Sequence, residues 1–229
     1  MKTTKIVSSL SLGIALACGS VSFAAVTLVS YDFEDSSART DPDFTNISIT
    51  ASSLTYGTMV NTGASYLTSG DNTVLRIRTS ELPASTTYST NYIQITINAV
   101  SGYTFNLSSI SIDGSISASG LYGYVRLRTD LDNYGANIAG GSTQFTSTST
   151  STKELDLSSV SSLTDLSSLT LRLFVMQANG STTRYFAMDN ITLTGTVTAV
   201  PEPATSALFL SVAGMALLIF ARLRKIKRT

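Results

Sequence analysis

The chain has 229 residues, 43% hydrophobic and 13% charged, with 15 basic and 15 acidic residues, one Cys and neither His nor Trp. Without imidazole there is no Ser-His-Asp or Cys-His catalysis and no His-ligated metal, and the lone Cys18 excludes an internal disulfide and a Cys-based zinc site. Low charge with ample apolar content excludes a disordered polyelectrolyte and leaves room for one domain with targeting segments.

The N-terminus carries Lys2 and Lys5, then an apolar run from Ile6 to Ala17, then Ser22-Phe23-Ala24. A positive flank, a short apolar stretch and small residues before a cut predict a secretory signal peptide over residues 1–24, cleaved at Ala24. Cys18 follows Ala15-Leu16-Ala17, a partial lipoprotein box whose Leu is not at the usual position. Removal of this segment leaves a mature protein without Cys, as suits an exported domain held by its core.

From Ala25 to Ala199 roughly a third of the residues are Ser or Thr, and helix signals are few. Alternation marks Val26 to Phe33, Val74 to Arg78, Tyr92 to Ile97, Leu121 to Arg128, Leu169 to Val175 and Ile191 to Val197. Period two with one apolar face predicts half-buried antiparallel strands. Weaker candidates are Asn46 to Ile49, Leu54 to Val60 and Phe105 to Ile112, and Gln144 to Lys153 reads as a linker or a polar edge strand. Eight to ten short strands in about 175 residues predict an all-β domain, one jelly-roll β-sandwich over residues 25–199.

One strand face invites a binding role. With Leu121, Val125 and Leu127 inward, Tyr122, Tyr124, Arg126 and Arg128 share the opposite face. Such a face stacks on a sugar ring and donates hydrogen bonds. The bland alternative is a solvated face whose arginines meet nearby carboxylates. Catalysis is not expected. Asp130 and Asp132 stand in an Asp-Leu-Asp-Asn turn and read as acceptors for backbone hydrogen bonds. Lys153 sits beside Glu154 in a polar stretch, so no nucleophile meets a tuned base.

Tyr31-Asp32-Phe33-Glu34-Asp35, and the stretch from Tyr185 through Met188-Asp189-Asn190 to Gly195, resemble the first and last strands of galactose-binding-like jelly rolls, common among carbohydrate-binding modules. The resemblance implies a structural calcium shared by Glu34 and Asp189 in some such modules. Carboxylate oxygens suit calcium, which takes about six to eight oxygen ligands. The alternative is that both carboxylates meet strand ends or arginines.

At the C-terminus, Val200-Pro201-Glu202-Pro203 precedes eighteen uncharged residues, Ala204 to Ala221, and then a tail of five basic residues within 222–229. As a helix the apolar run would be about 27 Å long, close to bilayer thickness, with the basic cluster held on the cytoplasmic side. Pro201-Glu202-Pro203, the apolar span and the basic end resemble the PEP-CTERM sorting signal of exported bacterial proteins, here residues 200–229. The resemblance implies recognition by an exosortase-type membrane enzyme, with Pro201, Glu202 and Pro203 as its substrate motif. An uncleaved single-span anchor satisfies the same physics.

With both ends set aside, residues 25–200 hold eight basic and fourteen acidic side chains, a net charge of −6. An anionic domain is a poor partner for nucleic acid. The sequence therefore predicts an exported envelope or extracellular-matrix protein of structural or adhesive type, sorted through its tail; the alternative is a membrane-anchored carbohydrate-binding module with an extracellular polysaccharide as partner.

Overall fold

Alternating side chains become two-faced strands because successive Cβ atoms point to opposite sides of a sheet. The computed structural model describes residues 24–34, 40–57, 64–69, 72–78, 82, 90–178, 184–200 and 214–215. The expected signal peptide and the expected sorting tail, including Pro201, Glu202 and Pro203, lie outside these residues apart from Ala24, Val200 and Gly214–Met215. No helix of the described residues is long and apolar enough to cross a membrane.

Thirteen strands appear in the described residues. They are β1 (Val26–Tyr31), β2 (Phe44–Thr45), β3 (Ile49–Ala51), β4 (Thr55–Tyr56), β5 (Ala64–Ser69), β6 (Asn72–Arg78), β7 (Tyr92–Ala99), β8 (Tyr103–Ile116), β9 (Tyr122–Thr129), β10 (Ser142–Phe145), β11 (Ser151–Asp156), β12 (Ser168–Ala178) and β13 (Tyr185–Ala199). The excess over the expected eight to ten comes from short strands. β2 and β4 are two residues long and β3 three, too short to show a period.

Eight strands make the frame. One sheet runs β11-β8-β13-β1 and the other β10-β9-β12-β7, all antiparallel. In chain order these eight pair first with last, second with seventh, third with sixth and fourth with fifth. That nesting is the strand order of a jelly roll, two Greek keys wrapped on one another. The first sheet adds β2 beside β1, and the hairpin β5–β6 beside the far end of β13. The second adds β3 and β4 beside β7.

Between the sheets lies a dry layer. Ile110, Ile112, Phe186, Ile191 and Leu193 face Ile93, Ile95, Ile97, Val125, Leu127, Leu171 and Leu173, all fully buried. Each such side chain contributes about 1.5–3 kcal/mol of transfer free energy. Phe145 and Phe186 meet at 5.1 Å between centroids, and Gly114 and Gly123 leave the room those rings fill. The stretch from Gln144 to Lys153 resolves into parts of two edge strands, β10 and β11, with the chain passing from one sheet to the other between them. On β11, Lys153 shares the inward side with buried Leu155. An inward-leaning charge on an edge strand opposes pairing with a further chain.

β13 is irregular in two places, after Met188 and between Thr194 and Gly195. At the second, a Cβ on Gly195 would overlap the carbonyl oxygen of Asn106 on β8 and press within 2.9 Å of Leu28 Cδ1. Gly195→Ala therefore forces β13 away from β8, at about 1–3 kcal/mol for overpacking. Thermal unfolding is expected about 3–10 °C lower, with Thr192→Ser on the same strand nearly unchanged. An unshifted Gly195→Ala would show that the strands do not approach this closely.

Candidate functional site

β9 keeps the alternation expected of it. Gly123, Val125, Leu127 and Thr129 are buried, while Tyr122, Tyr124, Arg126 and Arg128 stand on the outer face of the second sheet. Tyr122 is 36% exposed. The neighbouring strands extend this face in rows. Gln94, Arg172 and Arg128 are opposite one another across β7, β12 and β9. Tyr92, Phe174, Arg126 and Ser142 form the next row, and Met176, Tyr124 and Gln144 the one after. Phe174 and Met176 point away from the core yet are only 6% and 0% exposed. This outer face is thus a thin packed layer of its own.

The arginines are held by π faces and neutral oxygens. Arg172 Cζ lies 4.3 Å from the Tyr92 ring centroid and 3.7 Å from that of Tyr134. Its Nε donates to Gln94 Oε1 at 2.9 Å. Arg128 donates from Nε to Asn137 Oδ1 at 3.0 Å and from Nη1 to the carbonyl of Tyr134 at 2.7 Å, with Phe174 at 5.6 Å. Tyr92 and Phe174 meet edge to face at 5.6 Å. Cation–π contacts of this kind contribute about 0.5–2 kcal/mol each, more as they are desolvated.

Tyr134 arrives from a loop. The 3-10 turn Asp130–Asp132 ends β9, and Asn133 and Tyr134 follow at φ +56° and +59°. A left-handed backbone is costly for a side chain as large as Tyr, by about 1–2 kcal/mol. The turn is braced by Tyr134 N–H to the Thr129 carbonyl at 2.8 Å and Ala136 N–H to Asp132 Oδ2 at 2.9 Å. Asp130 Oδ1 accepts from Thr170 N–H at 3.0 Å. Both aspartates therefore serve backbone groups, as expected of that turn. Burial pushes the Tyr134 phenol above its ordinary pKa, Asp130 and Tyr92 adding to the rise, while the Arg172 charge and a bond to Thr170 oppose it.

Glu34 and Asp189 both lie beside β6 of the first sheet. β1 ends at Tyr31, whose hydroxyl donates to the Ser52 carbonyl at 2.7 Å. Burial, and then the charge of Asp41, push that phenol's pKa far up. Phe33 follows at φ +63° with its ring in the core. Beyond it, Glu34 Oε1 accepts from Thr73 N–H of β6 at 3.2 Å. Asp189 follows Met188, the β13 partner of Leu75 on the same β6, and is buried. Asp32 N–H donates to Asp43 Oδ2 at 2.6 Å, and burial followed by the nearness of Asp32 raises the Asp43 pKa. No group of three acidic side chains able to hold a metal occurs among the described residues. A calcium at this junction would draw its remaining oxygens from backbone carbonyls.

A shallow groove of about 440 Å³ opens elsewhere, on the outer side of the first sheet, lined by Ala25, Ser108, Ser109, Glu154, Asp156, Ser158 and Thr194. It offers hydroxyls and carboxylates but no ring to stack on. The richer chemistry is on the opposite sheet.

Sequence alternation finds the β9 row. It also places Arg172 and Phe174 opposite Leu171 and Leu173, a signal in plain view whose meaning depends on knowing that β12 lies beside β9. Tyr92, Gln94 and Tyr134 join only through pairing and the left-handed turn.

No family model matches the chain, and no curated protein matches it. Among solved structures it is similar to the CBM22-1 xylan-binding domain of Paenibacillus barcinonensis Xyn10C, at 13% identity and a TM-score of 0.39, over 79% of this chain and 99% of that one. It is similar to CBM29_1, a carbohydrate-binding module from Piromyces equi, at 12% identity and a TM-score of 0.38, over 76% and 93%. It is also similar to an arabinose-bound MgGH51 α-L-arabinofuranosidase at 16% identity and a TM-score of 0.39, over 74% of this chain and 27% of the enzyme. These superpositions are loose, and the fold assignment rests on the strand order above.

Proposed function

We propose that the β-sandwich is a carbohydrate-binding module of an exported protein, with its ligand on the outer face of the second sheet. One observation carries this reading: Tyr122 and Tyr124 share a continuous sheet face with Arg126, Arg128 and Arg172. Ring faces suit the apolar face of a sugar, and guanidinium groups suit its oxygens. The expected signal peptide and the Pro201-Glu202-Pro203 tail support delivery to the cell envelope, where an exosortase-type enzyme would process the C-terminus. A structural or adhesive role in the matrix is compatible with the same ligand, because a sugar-binding face is one way to adhere.

Three measurements test the parts separately. The purified full chain, in mild detergent, is titrated with a panel of polysaccharides. Tyr122→Ala with Tyr124→Ala is expected to weaken binding about tenfold while thermal unfolding stays within a few degrees. A chain that binds no glycan ends the reading. Intact mass of protein recovered from its native envelope is expected to lack the segment before Ala25 and the residues after the Pro-Glu-Pro motif. A full-length mass would remove the sorting step and leave an uncleaved anchor. The calcium proposed at Glu34 and Asp189 is expected to raise the unfolding temperature, an effect lost with EDTA and in Glu34→Gln. Identical melting with calcium and with EDTA would dismiss the ion.

A further inference from the structure

The face described above is more specialised than a sugar platform requires. Arg172 and Arg128 are direct cross-strand partners. Like charges in that position destabilise a sheet. Three of the eight basic residues between Ala25 and Val200 gather here, in a stretch of chain whose net charge is −6. Arg172 makes no ion pair among the described residues. Its Nε is committed to Gln94 Oε1, and its Cζ lies over the rings of both Tyr92 and Tyr134. Arg172 is half-buried, and its Nη nitrogens have no hydrogen-bond partner among the described residues. A guanidinium held by two rings and by its Nε, with its Nη donors uncommitted among the described residues, is the donor half of a bidentate pair. Tyr134 takes a left-handed backbone to complete the clamp. Strain of that kind persists where a particular placement is being enforced.

From this geometry we propose that the ligand is an acidic polysaccharide, and that the Arg172 clamp holds a uronate carboxylate of it. The proposal rests on the glycan-binding reading and specifies its substrate class. Arg128 stands in the same row and adds a second positive charge next to the bound anion. Tyr122 and Tyr124 lie along β9 for the sugar rings that follow.

The test uses the full chain with three probes: polygalacturonate, dextran sulfate and neutral mannan. Polygalacturonate is expected to bind best, with affinity falling as salt rises. Arg172→Gln is expected to weaken it about 10- to 100-fold, the range of a charge-assisted hydrogen-bonded pair. Arg172→Lys, which keeps the charge and loses the fork, is expected to recover little of that loss. Tyr134→Gly relieves the left-handed backbone and removes one face of the clamp. It is the second variant, expected to weaken polygalacturonate and to leave any mannan binding unchanged. Wild-type affinity for polygalacturonate in Arg172→Lys, or equal binding of dextran sulfate irrespective of Arg172, overturns the proposal in favour of unspecific charge. Binding of mannan alone overturns it while the glycan-binding reading stands. Binding of none of the three overturns both.

Discussion

The pairing of β1 with β13 is the constraint on which the molecule depends. It joins Val26 to Gly195 and Tyr31 to Ile191, and so closes a loop of almost the whole domain. Closing so long a loop costs only slowly increasing entropy, but the contacts that follow must exceed the cost of ordering every residue between. Both strands meet that demand by turning apolar residues into the sheet interface, Leu28 and Tyr31 from one, Ile191 and Leu193 from the other. Once the outermost pair is closed, the nested order leaves β7 beside β12 and β9 beside β10. Residues far apart in the chain, such as Tyr92 and Phe174, become neighbours as a consequence of that nesting.

The same constraint explains what could be read from residues alone. β1, β6, β7, β9, β12 and β13 bury alternate residues, so the period-two signal is strong and their existence is legible. β8 was faint because it runs fourteen residues through a Ser-rich stretch and contains an irregularity where Ser108 and Ser109 both lack deep burial. β10 and β11 are edge strands with polar outer sides, and their composition is that of a linker. β2, β3 and β4 rest on a neighbour's free hydrogen-bonding edge; the weak candidates Asn46 to Ile49 and Leu54 to Val60 only touch β3 at Ile49 and contain β4, and β2 left no local pattern. The resemblance at the two chain segments around Tyr31 and Asp189 did point to the correct pair of adjacent strands.

The site was half legible for a related reason. Tyr122, Tyr124, Arg126 and Arg128 lie on one strand, so alternation alone aligns them. Arg172 also obeys alternation, but what singles it out is the pair of rings its guanidinium meets. One ring belongs to β7 and the other to a turn that enters the left-handed region at two successive residues. Asn133 is a familiar occupant of that region; Tyr134 is not, and nothing in the Asp-Leu-Asp-Asn-Tyr stretch announces that its ring folds back over β12. Sequence shows the donors, while only tertiary structure shows which of them are held still.

The two outer faces of the sandwich carry different chemistry. The outer side of the first sheet is rich in hydroxyls, with Ser111 opposite Thr192 and Ser109 opposite Thr194, beside the carboxylates of Glu154 and Asp156 and one arginine, Arg76, 3.6 Å from the Tyr185 ring centroid. Thr suits a half-buried sheet at little cost, since its branched carbon packs and its hydroxyl meets water or a strand carbonyl. That solution was equally open to the second sheet. Instead β12 and β9 place two arginines directly opposite one another and cover them with tyrosines, one of which sits on strained backbone. The cross-strand arginines and the left-handed Tyr134 cost stability, and the cation–π contacts and neutral acceptors oppose that cost. Arginines paired across strands, rings over one of them and a left-handed Tyr134 together depart from that hydroxyl-rich solution, and this coupling is what favours the second sheet in the proposed reading.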